Sequence, residues 1–254
     1  MRPAIGPWSG RKYFLDKMTL RDLVIAYFTY YGIIVYLLLA SLGVWLTFSM
    51  AEGWLPVALA AAVIVPLYPA VWYALHRWVL HGQMLYRLPW TARVWKRIHY
   101  DHHQDPHDLS VLFGALYTTL PTIAIVTIPL GWVIAGPAGA AAATTSGILV
   151  TCFYEFCHCI QHLPFQPRWE WLKRIKKLHL AHHFHNEQGN FGITNFFWDR
   201  ALKTYYAHPR EVPRSETVFN LGYTAEKAAR YPWVEELSDG VHQQTGALRP
   251  ARSR

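Results

Sequence analysis

Histidine is the residue type that gives this sequence most of its potential chemistry. The chain has 14 histidines in 254 residues. Ten of them form four short clusters: His76 and His81; His99, His102 and His103; His158 and His162; and His179, His182 and His183. Imidazole nitrogen binds Fe, Zn, Cu and Ni, so the clusters predict a metal site. Ten imidazoles exceed the needs of one tetrahedral or octahedral ion, and therefore two ions are expected.

The spacing within the clusters is that of helix faces. Positions i, i+3 and i+4 fall within an arc of about 100° on an α-helix. The triplets that begin at His99 and His179 are therefore each predicted to face one direction. His158 and His162 lie one turn apart and are predicted to share a face.

The remaining candidates fit helical spacing less well. His76 and His81 are five residues apart, or about 140° on an ideal helix, so they either bind different ions or straddle a distorted helix end. His107 and His185 follow the second and fourth clusters and are expected to lie beside the ligands or in solvent. Glu155 precedes a candidate ligand by one turn, and we interpret it as an acceptor that orients an imidazole.

Two other metal chemistries lack the residues that they need. No His-Glu-x-x-His motif occurs, which removes the zinc-protease pattern. The Glu-x-x-His that begins at Glu155 is half of the pattern of soluble di-iron bundles, but those need two such motifs and two further glutamates. A centre built from imidazoles is therefore expected.

Two long apolar stretches must position these histidines. Neither Asp22 to His76 nor Ser110 to Pro167 contains a Lys or Arg, and the whole chain is 52% hydrophobic and 16% charged. Each stretch can cross a ~30 Å hydrocarbon core twice at about 20 residues per crossing. We predict an all-α integral membrane protein with four transmembrane helices in two hairpins. The predicted spans are residues 23–49, 55–80, 111–135 and 138–163, with the second turn at Gly136 and Pro137.

The basic residues predict the orientation. All 24 Lys and Arg lie on one side of the predicted membrane, and the positive-inside rule makes that side cytoplasmic. Both termini and the metal site, held in a helical cap, are then cytoplasmic. The net charge of +8 is assigned to contact with anionic membrane lipids and not with nucleic acid.

The domain organisation is expected to be simple. Residues 1–254 are predicted to form a single membrane-embedded domain, with the histidine boxes within 76–183. A polar C-terminal tail is expected over about 206–254, with one short helix near 225–237 and a mobile basic end at 249–254. Three cysteines within one predicted helix make no disulfide framework.

The four clusters, in this order, resemble the histidine boxes of the fatty acid hydroxylase and sterol desaturase superfamily of membrane di-iron enzymes. Tyr154-Glu155 before the third box resembles that family too, as does the run from Asn190-Phe191-Gly192 to Trp198-Asp199. The resemblance covers about residues 74–199 and is strongest to fatty acid 2-hydroxylases. It implies that the ten clustered histidines bind two Fe ions.

The resemblance also implies the reaction, an O2-dependent hydroxylation of a fatty acyl or sphingolipid chain. No haem-carrier motif His-Pro-Gly-Gly occurs, so electrons are expected from a separate cytoplasmic electron-transfer protein. Zinc also fits an all-imidazole site in a purified sample. The alternatives left open are a desaturase or hydroxylase of a sterol-like or other isoprenoid lipid and, in a different class, a membrane haem protein or a metal transporter.

Overall fold

A computed structural model describes residues 13–238. This part of the chain is helical and has no β-strand, which confirms the predicted all-α class. The α-helices are α1 Leu20–Thr29, α2 Tyr31–Met50, α3 Trp54–Ala74, α4 Pro89–Trp95, α5 Asp101–Gln104, α6 Leu109–Leu112, α7 Leu116–His162, α8 Glu170–Phe184, α9 Phe197–Ala201, α10 Ala225–Arg230 and α11 Trp233–Glu236. A π-helix, Leu75–Leu80, continues α3, and a second, Lys96–Tyr100, continues α4. Short 3-10 turns are Leu15–Lys17, Leu85–Arg87 and Pro209–Glu211.

The described chain divides into two compact units. The first consists of residues 13–71 and Phe113–Pro164, and the second of Trp72–Leu112 and residues 165–238. The first unit contains the long apolar helices. The second contains all the clustered histidines except His158 and His162. The single-domain organisation expected for residues 1–254 stays a prediction.

Three helical runs among the described residues are long and apolar enough to cross a membrane. They are Tyr31–Met50, Trp54–Arg87 and Leu109–His162. The second run includes the predicted span 55–80. The third includes 111–135 and all but the last residue of 138–163, because α7 extends on both sides of the predicted turn.

A kink folds α7 back on itself. Gly136 has φ 57°, a left-handed conformation that favours glycine. The Oγ1 atoms of Thr127 and Thr144 lie 3.0 Å apart, on opposite sides of the kink. A Cβ placed on Gly139 would lie 2.2 Å from the carbonyl oxygen of Gly131. The two halves of α7 therefore pack as an antiparallel hairpin, with its turn at the predicted position.

The first predicted span, 23–49, is wrong as a single helix. It is divided at Tyr30, whose extended backbone (φ −71°, ψ 128°) ends α1 and precedes α2. The Tyr30 ring stacks on Phe113 with centroids 4.1 Å apart. A Cβ on Gly32 would come within 2.8 Å of the same ring. The Tyr30 ring thus packs into space that Gly32 leaves open. This packing interrupts the helix, although the apolar sequence pattern continues.

The described part of the expected polar tail packs within the second unit. Residues 206–238 contribute to an aromatic core of the second unit, in which Tyr223 packs against Trp95 and Tyr86. In place of the one predicted short helix near 225–237 there are two, α10 and α11, and Val234 on α11 is fully buried. The predicted mobile end, residues 249–254, lies outside the described residues.

We predict that Gly139→Ala destabilises the protein. The added methyl group would meet backbone of the facing helix, and overpacking of this kind costs about 1–3 kcal/mol. The measurement is the thermal unfolding midpoint of the detergent-purified protein. Gly53→Ala is the matched control, since no atom lies within 4 Å of its added Cβ. Equal midpoints for the two variants would contradict the close packing of the hairpin.

Candidate metal centre

The π-helix at the end of α3 brings His76 and His81 together. The His81 N–H donates to the His76 carbonyl over 3.0 Å, an i to i+5 bond. Because a π-turn contains more residues than an α-turn, positions five apart come to lie on one side. The two ring centroids are 4.8 Å apart. Of the two alternatives left open by the sequence, the structure shows the distorted helix end.

The two histidine triplets do not face one direction each. His99 and His103 lie with their ring centroids 4.7 Å apart, whereas His102 turns towards His183, 4.5 Å away. Positions i+3 and i+4 differ by about 100° around a helix, so adjacent histidines diverge. In the other triplet His182 lies 4.8 Å from His81. Adjacent rings therefore approach different neighbours: His103 and His182 lie beside His81, whereas His102 and His183 lie beside each other.

The first group is a convergence of four imidazoles within the second unit. Nitrogen atoms of His76, His81, His99 and His103 all lie within 4.8 Å of one another. The Nε2 of His81 is 3.2 Å from that of His76 and 2.9 Å from that of His99. Ligand atoms about 2.1 Å from one ion are ~3 Å apart when they subtend a right angle. The observed spacing fits an ion bound between these nitrogens.

Backbone carbonyls set the tautomers of three candidate ligands. Nδ1 of His76 is 2.6 Å from the Phe191 carbonyl oxygen, and Nδ1 of His182 is 2.7 Å from that of Gly189. Nδ1 of His103 is 3.1 Å from the carbonyl oxygen of Val218. A carbonyl only accepts, so each Nδ1 donates and each Nε2 carries the lone pair that a metal needs.

Burial disfavours the charged form of two of these rings. It lowers the pKa of His182 to about 4 and holds the pKa of His99 well below its usual range, because the charged form loses its hydration. The Nε2 of His182 is buried and has no hydrogen-bond partner among the described residues. A neutral imidazole with an unused nitrogen in a buried site is suited to bind a cation.

A second set of rings adjoins the first. His183 lies 4.5 Å from both His102 and His179, measured between ring centroids. Nitrogens of His103, His182 and His183 also fall within 4.8 Å of one another. All these residues belong to the second unit, which therefore brings together every histidine of the first, second and fourth boxes.

The third box lies on α7 in the first unit. The ring centroids of His158 and His162 are 5.4 Å apart, so the two share a helix face as predicted. Glu155 is buried on the same helix, and its Oε1 accepts the Gly114 N–H at 3.1 Å. Its expected role as an acceptor for a liganding imidazole stays a prediction.

Among the described residues, neither His107 nor His185 belongs to a group of side chains that could hold an ion. Nε2 of His185 is 2.9 Å from the Val212 carbonyl oxygen. His107 stacks against Phe184 with centroids 6.1 Å apart. The three cysteines are unpaired by disulfides, as expected.

Sequence reasoning missed the contacts by which the buried Glu187 carboxylate holds the C-terminal segment. Glu187 is fully buried, and its Oε1 accepts from Thr217 Oγ1 at 2.5 Å and from Ser215 Oγ at 2.9 Å. Val218 follows Thr217, and its carbonyl oxygen is the one that accepts from Nδ1 of His103. No local pattern marks Ser215, Thr217 and Val218 as part of the site, because they lie well after the last box.

A family model described as fatty acid hydroxylase matches residues 61–204, more than half of the chain and all ten clustered histidines. The chain belongs to the fatty acid hydroxylase family. As a member with three helical runs long and apolar enough to span a bilayer, it is a membrane protein.

Relatives in this family carry related names. The chain is 31% identical over 140 residues to the ceramide very long chain fatty acid hydroxylase SCS7 of Saccharomyces cerevisiae, covering 52% of this chain and 34% of the yeast protein. It is 32% identical over 137 residues to the dihydroceramide fatty acyl 2-hydroxylase FAH2 of Arabidopsis thaliana, covering 52% and 54%. The chain thus spans a third to a half of the length of these relatives.

A solved structure shares the fold of this family member. It is described as full-length scs7p with only the hydroxylase domain visible, and it superposes with a TM-score of 0.58 at 24% identity. The match covers 79% of this chain and 71% of that one.

We predict that Thr217→Val destabilises this fatty acid hydroxylase family member by about 1.5–3 kcal/mol, the usual contribution of a hydrogen bond to a charged group. The substitution removes the shortest donor to the buried Glu187 carboxylate. Unfolding in detergent measures the effect. Thr91→Val is the control, because the Thr91 hydroxyl bonds only locally, to the Leu88 carbonyl, in an exposed place. A loss no greater than that of the control would show that Glu187 does not depend on Thr217.

Proposed function

We propose that the protein is an O2-dependent lipid oxygenase that hydroxylates a fatty acyl or sphingolipid chain with two iron ions. The observation that carries the proposal is the convergence of the His76, His81 and His99 Nε2 atoms in a chain of the fatty acid hydroxylase family. The names of the relatives, which specify ceramide and fatty acyl hydroxylation, support the substrate class.

The proposed ligands are the ten histidines of the four boxes. They are His76, His81, His99, His102, His103, His158, His162, His179, His182 and His183. The geometry of the second unit supports the ligands of three boxes. The assignment of His158 and His162 rests on the family's box pattern and on their shared helix face.

An alkyl C–H bond offers no acidic proton and no leaving group, so acid or base catalysis by side chains does not attack it. Iron, when bound, supplies the redox chemistry with dioxygen that this step needs. The chain's own residues do the positioning. The carbonyls of Gly189, Phe191 and Val218 keep the proton on Nδ1 of their histidines, and burial excludes water from the imidazoles.

We also propose the placement in the membrane. Four spans, obtained by counting both halves of α7, put both termini and the histidines on the cytoplasmic side. Trp169 and the basic residues Lys173 and Lys177 are exposed at the start of α8, which suits contact with anionic headgroups. Lys176 on the same helix is buried and contributes no such surface. Electrons come from a separate cytoplasmic protein.

The function is tested by metal content and lipid analysis together. We expect two metal ions per chain after expression with added iron, and a lipid species one oxygen atom heavier in cells that express the protein. His182→Ala removes a buried ligand and should abolish that species and lower the metal content. His208→Ala, at an exposed position outside the boxes, is the matched control and should change neither.

The mass of the product distinguishes the reaction classes. A product two hydrogen atoms lighter than its precursor would identify a desaturase, and an oxygenated sterol-like or isoprenoid lipid would identify the alternative substrate. A chain without bound non-haem metal, in cells whose lipids are unchanged, would contradict the oxygenase proposal and favour a haem protein or transporter.

Orientation is tested with single cysteines. Glu52→Cys, in the turn before α3, should react with a membrane-impermeant thiol reagent added to intact cells. Arg210→Cys should react only after lysis. Both positions are exposed, so accessibility on the protein itself is matched. The unsubstituted chain measures the background from its native cysteines, and the reverse labelling pattern would invert the proposed topology.

A further inference from the structure

We propose that Asp199 is a positioning residue for His76, acting through the loop that carries Phe191 and Gly192. This role rests on the metal-binding function proposed above. Asp199 lies 123 residues after His76 in the sequence, outside every histidine box, and its side chain is completely buried, with 0% exposure.

The carboxylate binds the loop at two consecutive amides. Asp199 Oδ1 accepts the Phe191 N–H at 2.8 Å, and Oδ2 accepts the Gly192 N–H at 2.9 Å. The Phe191 carbonyl in turn accepts the Nδ1–H of His76 at 2.6 Å. The Phe191 carbonyl and the Gly192 N–H belong to one peptide group, so a bond that fixes this group also fixes the carbonyl. The carbonyl in turn fixes both the ring orientation and the tautomer of His76.

The loop needs this external anchor. Residues 190–196 form no regular secondary structure, and Asn190 has a left-handed backbone with φ 56°. Buried amides outside helices and strands require other acceptors. A Cβ on Gly192 would lie 2.0 Å from the Asn195 carbonyl oxygen, so the turn is too tight for a side chain there. Asp199 supplies the acceptors for both amides.

A chain of hydroxyl groups links the carboxylate back to α3. Arg77 donates to the Tyr73 hydroxyl oxygen over 2.8 Å, and this hydroxyl lies 3.0 Å from Thr204 Oγ1. Thr204 Oγ1 donates to Asp199 Oδ1 over 2.9 Å. Because Thr204 uses its hydrogen for Asp199, the Tyr73 hydroxyl is the donor in the bond between the two hydroxyls. Each hydrogen bond in this chain is therefore donated in the direction from the Arg77 guanidinium towards the Asp199 carboxylate.

The contacts close into a ring. Tyr73 on α3 lies three residues before His76, which is on the π-helix that continues α3. The path from His76 through Phe191, Asp199 and Thr204 therefore returns to the same continuous helical run. Such a ring holds the imidazole from both its backbone and its Nδ1 side. An amide at position 199 would present one oxygen and an NH2 group, and the NH2 would face an N–H or O–H that already needs an acceptor.

The test is a double-mutant cycle read by metal retention. Purified holoprotein is challenged with a chelator, and the metal remaining on each chain is measured over time. We expect Asp199→Asn to release one of the two metal equivalents about 10–100 times faster, as is usual when a partner of a liganding histidine is removed. The second equivalent should be released at the wild-type rate. His76→Ala should already lack the affected equivalent.

The cycle separates positioning from general destabilisation. If Asp199 acts through His76, then adding Asp199→Asn to His76→Ala changes the remaining release rate by less than about twofold. Faster release of both equivalents, or additive effects in the double variant, would overturn the proposal. Asp101→Asn is the matched control, because that carboxylate pairs with Lys96 on a segment of the second box. It should retain both equivalents.

Two further outcomes keep the interpretations distinct. If Asp199→Asn does not fold, Thr204→Val removes one donor to the same carboxylate and should accelerate release of the same equivalent to a smaller extent. If the wild-type protein and Asp199→Asn both retain two metal ions, the positioning role of Asp199 is overturned but the proposed function is not. Wild-type protein that binds no metal would overturn the proposed function itself.

Discussion

An imidazole can offer Nε2 to a metal only while it is uncharged and its proton is on Nδ1. That constraint explains the burial of the histidines in the second unit and the hydrogen bonds that their Nδ1 atoms make. The rings are buried, which disfavours the charged form, and backbone carbonyls accept from Nδ1 of His76, His103 and His182. Because each carbonyl must lie at hydrogen-bond distance from its ring, the loops that carry them have to be as well defined as the helices that carry the histidines.

This requirement explains why so many polar groups are buried outside the boxes. Asp199 and Glu187 are both completely buried, which is costly for a carboxylate unless several donors reach it. Each receives such donors, from the loop amides and Thr204 in one case and from Ser215 and Thr217 in the other. Their hydrogen bonds hold loops whose carbonyls would otherwise be free to move. These two buried carboxylates therefore hold the segments whose carbonyls contact His76 and His103.

The first unit is subject to a different constraint. It is made of apolar helices, which have few polar groups that could fix the register of one helix against another. Close approach of the helix backbones fixes the register instead. Gly131 and Gly139 bring the two halves of α7 into backbone contact, and Gly43 lies so near Thr145 that an added Cβ would overlap its hydroxyl. Small residues at helix crossings are typical of helix packing in membranes, where apolar side chains gain little from leaving lipid.

Composition and local spacing were sufficient to determine the apolar helices, the turn beside Gly136, the ten clustered histidines and the resemblance to the family, because these features depend on residues close together in the chain. The break at Tyr30, the π-turn that unites His76 with His81, and the division of each histidine triplet were decided only by tertiary structure. So were the partners of His76 and His103, Phe191 and Val218, each 115 residues away along the chain. Contacts over such separations leave no periodic pattern in a single sequence, since they are selected by the packing of the whole unit and not by the conformation of any one segment.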